Sequence, residues 1–549
     1  MTRLDPTGWK VPWDQSRARL LVDSQAWQNR TMAQAAADLV ARAPDHIVAV
    51  EGQQEFAASA IFGEARRLAS ALQAKGLKRG DRISYQLPNW HEAMVIDLAA
   101  TMAGLVVNPL VAIYREAEVG FMLSDLESRM IFVPARFRNH DYRAMMRGVR
   151  TGLDHHVDVI VLRGEAEEFI AYAELLASGN DDFDPAPVDP DDIKLVLYTS
   201  GTTGRAKAAL HSHNTVGAIA EQFRRHMAIG SQDVSLVASP VTHITGAILA
   251  FQLPWVAGAK AVLMDVWDGD RAVELIRGHA VTLANGAAPF IVDLLAAAAR
   301  VADRLPSLRV FVAGGSAIPE ALGRSVYDNF ENCVMFRAYG ATEVPTATVG
   351  VLDRAYREAN ITTDGRPVFT ELKIVDPETG RKARPGEVGE ILMRGPQMLL
   401  GYLRPDDNAG AFDEEGFFRS GDLGRFVRDD WIEITGRSKD IIIRAGENIS
   451  PQEIEEALLD CEKIAQIAIV AKPNPRTGEA ACAFVVPRGE LVPTLDEMAA
   501  LLARKGFAKQ KTPEHLVVVA SLPMTPAGKV KKHVLREWAA GNAAVGDAK

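Results

Sequence analysis

Cysteine is scarce: Cys333, Cys461 and Cys482 stand far apart among 549 residues and form no C-x-x-C spacing. So few thiols exclude a disulfide framework and a cysteine-built zinc site, and the usage fits a reducing compartment. Excess positive charge is missing too. With a formal net charge of −10, the chain has no general electrostatic reason to hold nucleic acid or an acidic membrane surface. Unbroken apolar runs of membrane length are absent. The most apolar windows, Leu98–Ile113 and Ile244–Met264, are interrupted by Asn108 and Pro109 and by Gln252, Pro254 and Lys260, so both read as buried elements. Met1–Lys10 lacks the apolar centre of a signal peptide. A cytoplasmic protein without stable membrane insertion is expected. Internal repeats and low-complexity segments are absent as well.

What is present is a chain too long for one compact core, so two or more domains are expected. It is 48% hydrophobic and 24% charged, an ordinary soluble composition. Short apolar runs (Met130–Val133, Val159–Leu162, Lys194–Leu197, Ala261–Leu263, Arg309–Val312, Val334–Arg337) alternate with amphipathic stretches such as Ala65–Ala74, Pro289–Ala299 and Glu320–Phe330. That alternation predicts α/β layers with largely parallel sheets. From Gly365 to Thr435, turn pairs separate short runs (Leu372–Val375, Glu390–Met393, Phe426–Val427, Trp431–Ile434), which predicts an antiparallel unit. Beyond Gly436 lies the polar pivot Arg437–Asp440, then a predicted strand Ile441–Ile443. A helix start follows at Ser450, with Pro451 at its first position and Glu453 in its first turn. Strands Ile467–Val470, Cys482–Val486 and Leu516–Val519 and a helix near Leu495–Lys505 complete an α+β module.

The densest signal is Tyr198–Lys207. Thr199, Ser200, Thr202 and Thr203 surround Gly201 and Gly204, the segment closes on Lys207, and the apolar run Ile193–Leu197 precedes it. A glycine-rich turn lets backbone N–H groups converge on an anion; the hydroxyls add donors and the lysine a point charge. These are the parts of a polyphosphate clamp, although the G-x-x-x-x-G-K-[ST] spacing is absent. Gly314–Ala317 and Tyr339–Glu343 each follow a predicted strand, where ligands sit in open α/β sheets. Further on come Phe418–Leu423, Gly436 and Arg437, Lys439 and Asp440, Arg444–Asn448, and Thr525–Lys529.

In this order, from Gly80–Arg82 and Leu87–Asn89 through Lys529, the segments resemble the adenylate-forming superfamily of acyl-CoA synthetases, luciferases and peptide-synthetase adenylation domains. The resemblance implies a large N-terminal domain of layered α/β sheets plus an antiparallel β subdomain, with a small mobile α+β C-terminal domain. The expected division is residues 1–436 (α/β subdomains to about 360, antiparallel β subdomain from about 361 to 436), a hinge at 437–440 and a lid at 441–549. It also implies ATP, Mg²⁺ and coenzyme A as ligands, the last as a substrate. Thr199, Ser200, Gly201, Thr202, Thr203, Gly204 and Lys207 would hold the phosphates, with Thr342 on a phosphate oxygen and Glu343 on the metal. Tyr339, Gly340, Gly315, Ser316 and Ala317 would flank adenine, Asp422 would take the ribose hydroxyls, and Arg437 the ribose or phosphate. Lys529 would bridge acyl and α-phosphate oxygens, and Lys439 would be the pivot. Arg444, Ala445 and Gly446 would line a pantetheine tunnel, with Arg476 and Lys511 on the coenzyme A phosphates. The plain alternatives are a turn carboxylate for Asp422, a helix-capping acid for Glu343, and a solvated basic face for Lys529 beside Lys531 and Lys532.

Two departures stand out. Ala206 and Ala208 flank Lys207 where the family has proline and glycine, which alters loop stiffness without removing a ligand. Ala445 replaces a second tunnel glycine. The segment Pro240–Gly246 matches the acyl-pocket wall and offers His243 with no carboxylate, so a plain acid rather than an amino acid is expected; a core histidine is the alternative. Gly246, Gly286, Ala287, Ala288 and Gly314 leave space there, and Phe290 and Trp255 would close the far end. The wording Ser239–Gly246 with Leu210–Asn214 is similar to cyclohexanecarboxylate–CoA ligases and short- to medium-chain fatty-acyl-CoA synthetases. The expectation is an ATP-dependent acid–CoA ligase of fatty acid metabolism, with small molecules as partners and a homodimer left open. Carrier-protein loading, luciferase-like oxidation and a non-catalytic nucleotide sensor are the other readings.

Overall fold

The computed structural model describes residues 2–183, 185, 187–199, 206–315, 318–377, 379–437, 440–444, 447–475, 477–505, 507, 509–525 and 529–541. Two large sheets build the main body. The first has eight strands in the order Ile170–Ala171, Asp158–Leu162, Met130–Pro134, Arg82–Tyr85, Val106–Pro109, Ile193–Thr199, Lys207–Ser212, Gly401–Tyr402. Its strands run parallel up to Ile193–Thr199, after which Lys207–Ser212 and Gly401–Tyr402 pair antiparallel. The glycine-rich segment therefore joins two strands that pair antiparallel, with Thr199 opposite Lys207. The strand Lys207–Ser212 escapes sequence reading because Ala208, Ala209 and His211 have no strong β preference. Pairing on both sides supplies what propensity does not.

The second sheet has nine strands, with Val334–Tyr339, Val310–Ala313, Leu283–Gly286, Val234–Val237, Lys260–Leu263 and Ile47–Glu51 side by side and parallel. Gly286, Ala313 and Arg337 are in register, so the loops after these three strands open on one edge. Between the two sheets runs the helix His91–Ala103, in which every residue from Glu92 to Ala103 is buried. A helix apolar on all sides belongs in an interior. Each Leu, Ile, Val or Met buried there contributes on the order of 1.5–3 kcal/mol. Asp97, in its middle, pairs at 3.0 Å with Lys194 from the first sheet, and Thr101 accepts a third bond from that ammonium at 2.9 Å. Fixed partners make a buried charge tolerable.

The four-stranded antiparallel sheet joins Glu371–Val375, Gly389–Arg394, Phe418–Arg428 and Trp431–Arg437. Phe418–Arg428 is one long strand, and Asp422 lies inside it rather than in a turn. The last sheet joins Glu447–Ile449, Ile442–Arg444, Gly478–Pro487 and Ile464–Asn474, with His515–Val518 parallel to Gly478–Pro487. The helices Pro451–Leu458 and Leu495–Arg504 cover one face and Lys532–Ala539 packs on Ile464–Asn474. This is the small α+β unit expected beside a large α/β body. Ser450 stands at the N-cap position but does not cap: its hydroxyl donates to the Thr435 carbonyl instead, tying the helix Pro451–Leu458 to the antiparallel sheet. Among the described residues no helix is long and apolar enough to cross a membrane.

Candidate active site

The hairpin ends Thr199 and Lys207 stand beside the loop that follows Val334–Tyr339. The Thr199 hydroxyl lies 3.3 Å from Glu343 Oε1, and the Tyr402 hydroxyl donates to the same oxygen at 2.7 Å. The Glu343 carbonyl accepts from the Leu399 amide at 2.7 Å, and the Thr342 carbonyl takes 2.8 Å contact from His211 Nε2. The acid is thus buried, its carboxylate held between Thr199 of the hairpin and Tyr402 of the neighbouring strand Gly401–Tyr402, and its backbone by His211 and Leu399. Burial and then Glu343 push the Tyr402 phenol well above its ordinary range, so it stays a donor. Lys207 Nζ sits 5.0 Å from the Tyr402 ring centre and 3.8 Å from Asp407. Ser200, Gly201, Thr202, Thr203 and Gly204 fall outside the described residues, as do Ser316 and Ala317.

Tyr339 ends its strand with its hydroxyl donating to Asp422 Oδ2 at 2.8 Å, while Arg437 Nε holds Asp422 Oδ1 at 2.9 Å. Asp422 and Arg437 are register partners of two antiparallel strands, which is why residues far apart in sequence meet. The Asp422 charge, ahead of the opposing effect of burial, raises the Arg437 guanidinium above its usual value. Gly315 has φ +84°, a left-handed conformation that favours glycine, and a Cβ there would meet nothing within 4 Å. Gly340 lies under a close backbone approach instead: an added Cβ would fall 2.4 Å from the Thr346 nitrogen.

Lys529 comes from the small domain. Its amide donates to Thr525 Oγ1 at 3.0 Å, and Thr525 returns a bond to its carbonyl. The side chain keeps solvent access, yet desolvation by the surrounding walls and the nearby Arg437 charge lower its pKa, with Asp422 and Glu343 pulling upward. This lysine therefore sits within charge range of the Asp422, Arg437 and Glu343 group rather than on a separate solvated face. His243 belongs to the same neighbourhood: burial, then Lys529, push its imidazole down to about 4. It is half-buried and stands at the N-cap of the short helix Ile244–Ala247, where Nδ1 accepts from Thr245 at 3.4 Å.

Of the residues expected at the acyl pocket, Gly286, Ala287 and Ala288 lie where a parallel strand turns into the helix Ala288–Arg300, and Phe290 closes over Gly286, its ring 4.6 Å from that of Trp267. Gly246 serves backbone packing more than ligand space, since a Cβ would lie 2.2 Å from the Pro240 carbonyl oxygen. Gly314 is likewise crowded, 2.9 Å from the Ala338 carbonyl oxygen. Trp255 corrects the sequence expectation. It lines a separate cavity of about 220 Å³ with Arg30, His213 and Asn214, because its helix packs on Met32–Arg42 and His213–His226.

On the small domain, Arg444 pairs with Glu514 at 2.6 Å and donates to the Gln510 carbonyl, next to Lys511. Lys511 is paired with Glu453. The two basic residues are neighbours, but an incoming phosphate must displace carboxylates from both. Ala445, Gly446, Arg476 and the pivot Lys439 lie outside the described residues. A second cluster, Glu51, His91 and Glu92, has metal-ligand spacing. Arg163 fills it, donating to Glu92 at 2.8 Å and to Glu51 at 2.9 Å. Burial raises Glu51, but bonds from His91 and Arg163 outweigh it and hold the carboxyl at about 2.

Sequence reasoning missed Tyr402 and His211. Neither carries a local signal, because each acts through a strand pairing that only the folded sheet creates.

A layered α/β body with a small α+β domain and a nucleotide-type edge is the architecture of adenylate-forming enzymes, and known proteins agree. MatB from Rhodopseudomonas palustris, in its ATP-bound crystal structure, superimposes with a TM-score of 0.81 at 25% identity, over 92% of this chain and 98% of that one. The medium-chain fatty-acid–CoA ligase of Escherichia coli (strain K12) is 36% identical over 504 residues, 90% of this chain and 88% of that protein. The salicyl-AMP ligase / salicyl-S-ArCP synthetase of Mycobacterium tuberculosis (strain ATCC 25618 / H37Rv) is 31% identical over 96% of this chain and 94% of its own. The chain belongs to the AMP-binding enzyme family, whose main domain matches residues 36–403 and whose C-terminal domain matches residues 453–529.

Proposed function

We propose that this enzyme joins a carboxylic acid to coenzyme A at the expense of ATP, through an acyl-adenylate. The observation that supports the reading is the Asp422 carboxylate held by Tyr339 and Arg437 together with the Glu343 carboxylate braced by Tyr402 and Thr199, with Lys529 of the small domain within charge range of both acids. In the first half-reaction a carboxylate oxygen attacks the α-phosphorus, the bond to pyrophosphate breaks, and charge spreads over both oxygen sets. Little covalent work falls to the protein, so positioned charge dominates. Lys529 answers the acyl and α-phosphate oxygens, the Thr199–Lys207 segment holds the departing phosphates, and Asp422 with Tyr339 orients the nucleoside. Glu343 offers a hard oxygen and fits a magnesium ion held by one carboxylate plus substrate phosphates, an ion that would neutralise phosphate charge. In the second half-reaction the coenzyme A thiol attacks the acyl carbon, AMP leaves with the bridging oxygen, and the thiol proton passes to solvent.

The hinge at 437–440 and the lid at 441–549 belong to this proposal: the small domain swings after adenylation and withdraws Lys529. For the acid we favour a medium-chain or alicyclic carboxylate. A neutral His243 gives no anchor for an ammonium group, and Phe290 over Gly286 supplies an apolar wall. The test is pyrophosphate exchange into ATP with a panel of straight-chain and ring acids, followed by thioester formation on free coenzyme A. No exchange with any acid sinks the reading. Lys439→Pro is expected to spare exchange and impair thioester formation; equal rates in both steps count against the hinge. A second reading, transfer to a carrier-protein thiol, is favoured by the likeness to the salicyl-S-ArCP synthetase. Thioester formation on a carrier but not on free coenzyme A would establish it.

A further inference from the structure

His211 points into the body of the protein and is fully buried, with 0% of its surface exposed. It sits on the strand Lys207–Ser212, four residues past Lys207. Its Nε2 lies 2.8 Å from the carbonyl oxygen of Thr342. A carbonyl only accepts, so Nε2 must carry the hydrogen. In a neutral ring Nδ1 is then an acceptor, and the Thr215 hydroxyl stands 3.3 Å from it. That hydroxyl also lies 3.1 Å from the Ser212 carbonyl and has one proton to share between the two. The geometry thus selects a single tautomer. The bond joins the strand that follows the phosphate-type turn to the peptide group between Thr342 and Glu343. A peptide unit is planar. Pinning its carbonyl therefore fixes its rotation, and with it the direction from which the Thr342 and Glu343 side chains leave the backbone. Glu343 is then held from its other sides by Leu399, Tyr402 and Thr199.

We infer that His211 is a positioning residue for adenylation, holding the Thr342–Glu343 peptide through an Nε2–H bond so that both side chains face the nucleotide phosphates. The inference rests on the adenylation reading above. It separates the half-reactions: phosphate-facing groups matter while pyrophosphate leaves, and not when a thiol meets a finished adenylate. A misplacement of about 1 Å at such a group can cost on the order of 10²-fold in rate.

Stereochemistry supplies the test. A glutamine amide nitrogen reaches the place of Nε2, whereas an asparagine amide nitrogen reaches only the place of Nδ1. His211→Ala and His211→Asn are expected to lower acid-dependent pyrophosphate exchange by about 10²-fold, with thioester formation from preformed acyl-adenylate changed less than about twofold. His211→Gln is expected to recover exchange to within a few-fold of the parent, although its melting temperature falls alongside that of His211→Asn. Parent-like exchange in all three variants, rescue by asparagine as good as by glutamine, or equal loss in both half-reactions overturns the inference. Should the alanine and asparagine variants fail to fold, nitrogen-15 histidine spectra of the parent decide, the His211 signal being the one missing from His211→Gln. An Nε2–H tautomer is required, and an Nδ1–H tautomer refutes the bond. Because the spectrum needs no turnover, it tests the tether even if the parent exchanges with no acid, the outcome that sinks only the function.

Discussion

The two domains hold their halves of the site by different physics. In the large domain, the strand ends and loops beside the candidate site rest on buried hydrogen-bond networks. Asn89 illustrates it: its amide nitrogen reaches the carbonyls of Val237, Ser239 and Met264 at 2.9–3.0 Å, and its oxygen accepts from the Val241 amide at 2.8 Å. One side chain thereby fixes the ends of two parallel strands and the loop leading to His243. Among the described residues, the small domain meets the large one through a handful of polar contacts. They include the Ser450 hydroxyl on the Thr435 carbonyl and Gln452 Nε2 on the Ile434 carbonyl at 3.3 Å. Glu456 faces Arg337, Asp364 and Glu433 across the same seam. A buried group that loses its partner inside a fixed interior is left orphaned, which is costly; groups that part into solvent exchange their partner for water. The difference is compatible with the domain movement proposed above.

Several changes would break or sharpen that contrast. The largest effect is expected inside the large domain: Lys194→Ala strands the Asp97 carboxylate and should cost about 3–5 kcal/mol of stability, read by denaturant unfolding. A loss below about 1 kcal/mol would mean that water reaches the pair. Next, Lys529→Ala should lower pyrophosphate exchange by about 10²–10³-fold with little change in melting temperature, because the side chain supports no packing. Equal loss in thioester formation from preformed adenylate would contradict withdrawal of the lysine. Tyr402→Phe removes one donor from Glu343, and exchange should fall about tenfold while the apparent magnesium requirement rises. An unchanged magnesium titration would show that Glu343 needs no such support.

The smallest effect belongs to the seam. Burial lifts the Glu456 carboxyl to about 7, with the Gln452 bond and Arg337 opposing. A raised carboxyl pKa means that the docked arrangement binds the proton more tightly than an undocked one. The seam is therefore strongest below the free value of about 4.5 and weakens as pH rises to about 7, with no further loss above. The side chain keeps solvent access, so screening makes the effect modest. Limited proteolysis near the pivot should speed up slightly from pH 5.5 to pH 7.5, and Glu456→Gln should flatten that trend. A rate that falls with pH would reverse the sign.

Much was legible because local chemistry announced it. The strands Met130–Pro134, Asp158–Leu162 and Val334–Tyr339 declare themselves as β-branched and apolar runs bounded by polar residues, and the helix Glu320–Asn329 by its apolar spacing. Thr199, Lys207, Tyr339, Asp422 and Lys529 stood out by motif and order, and the folded chain does bring Asp422, Tyr339 and Arg437 into direct contact. A turn carboxylate was the plain alternative for Asp422 because Gly421 precedes it, yet Asp422 lies inside the strand Phe418–Arg428, paired with Arg437, although Gly421 has φ +69°. Ser450 looked like a cap because residue type alone cannot tell which of two acceptors or donors lies nearer.

Order along the chain, glycine and hydroxyl density, and alternation of apolar periods determined the class of fold, the family and the outline of a nucleotide site, since each depends on neighbours within a few residues. Tertiary structure alone decided that Thr199 and Lys207 are paired strand ends, that Tyr402 and His211 brace Glu343 and Thr342, that Trp255 lines a cavity with Arg30, His213 and Asn214, and that Lys529 comes within charge range of Asp422. Several of those outcomes depend on which strands pair and in which register, and the partners of the strand Lys207–Ser212 at Gly401–Tyr402 and of His211 at Thr342 lie more than a hundred residues away.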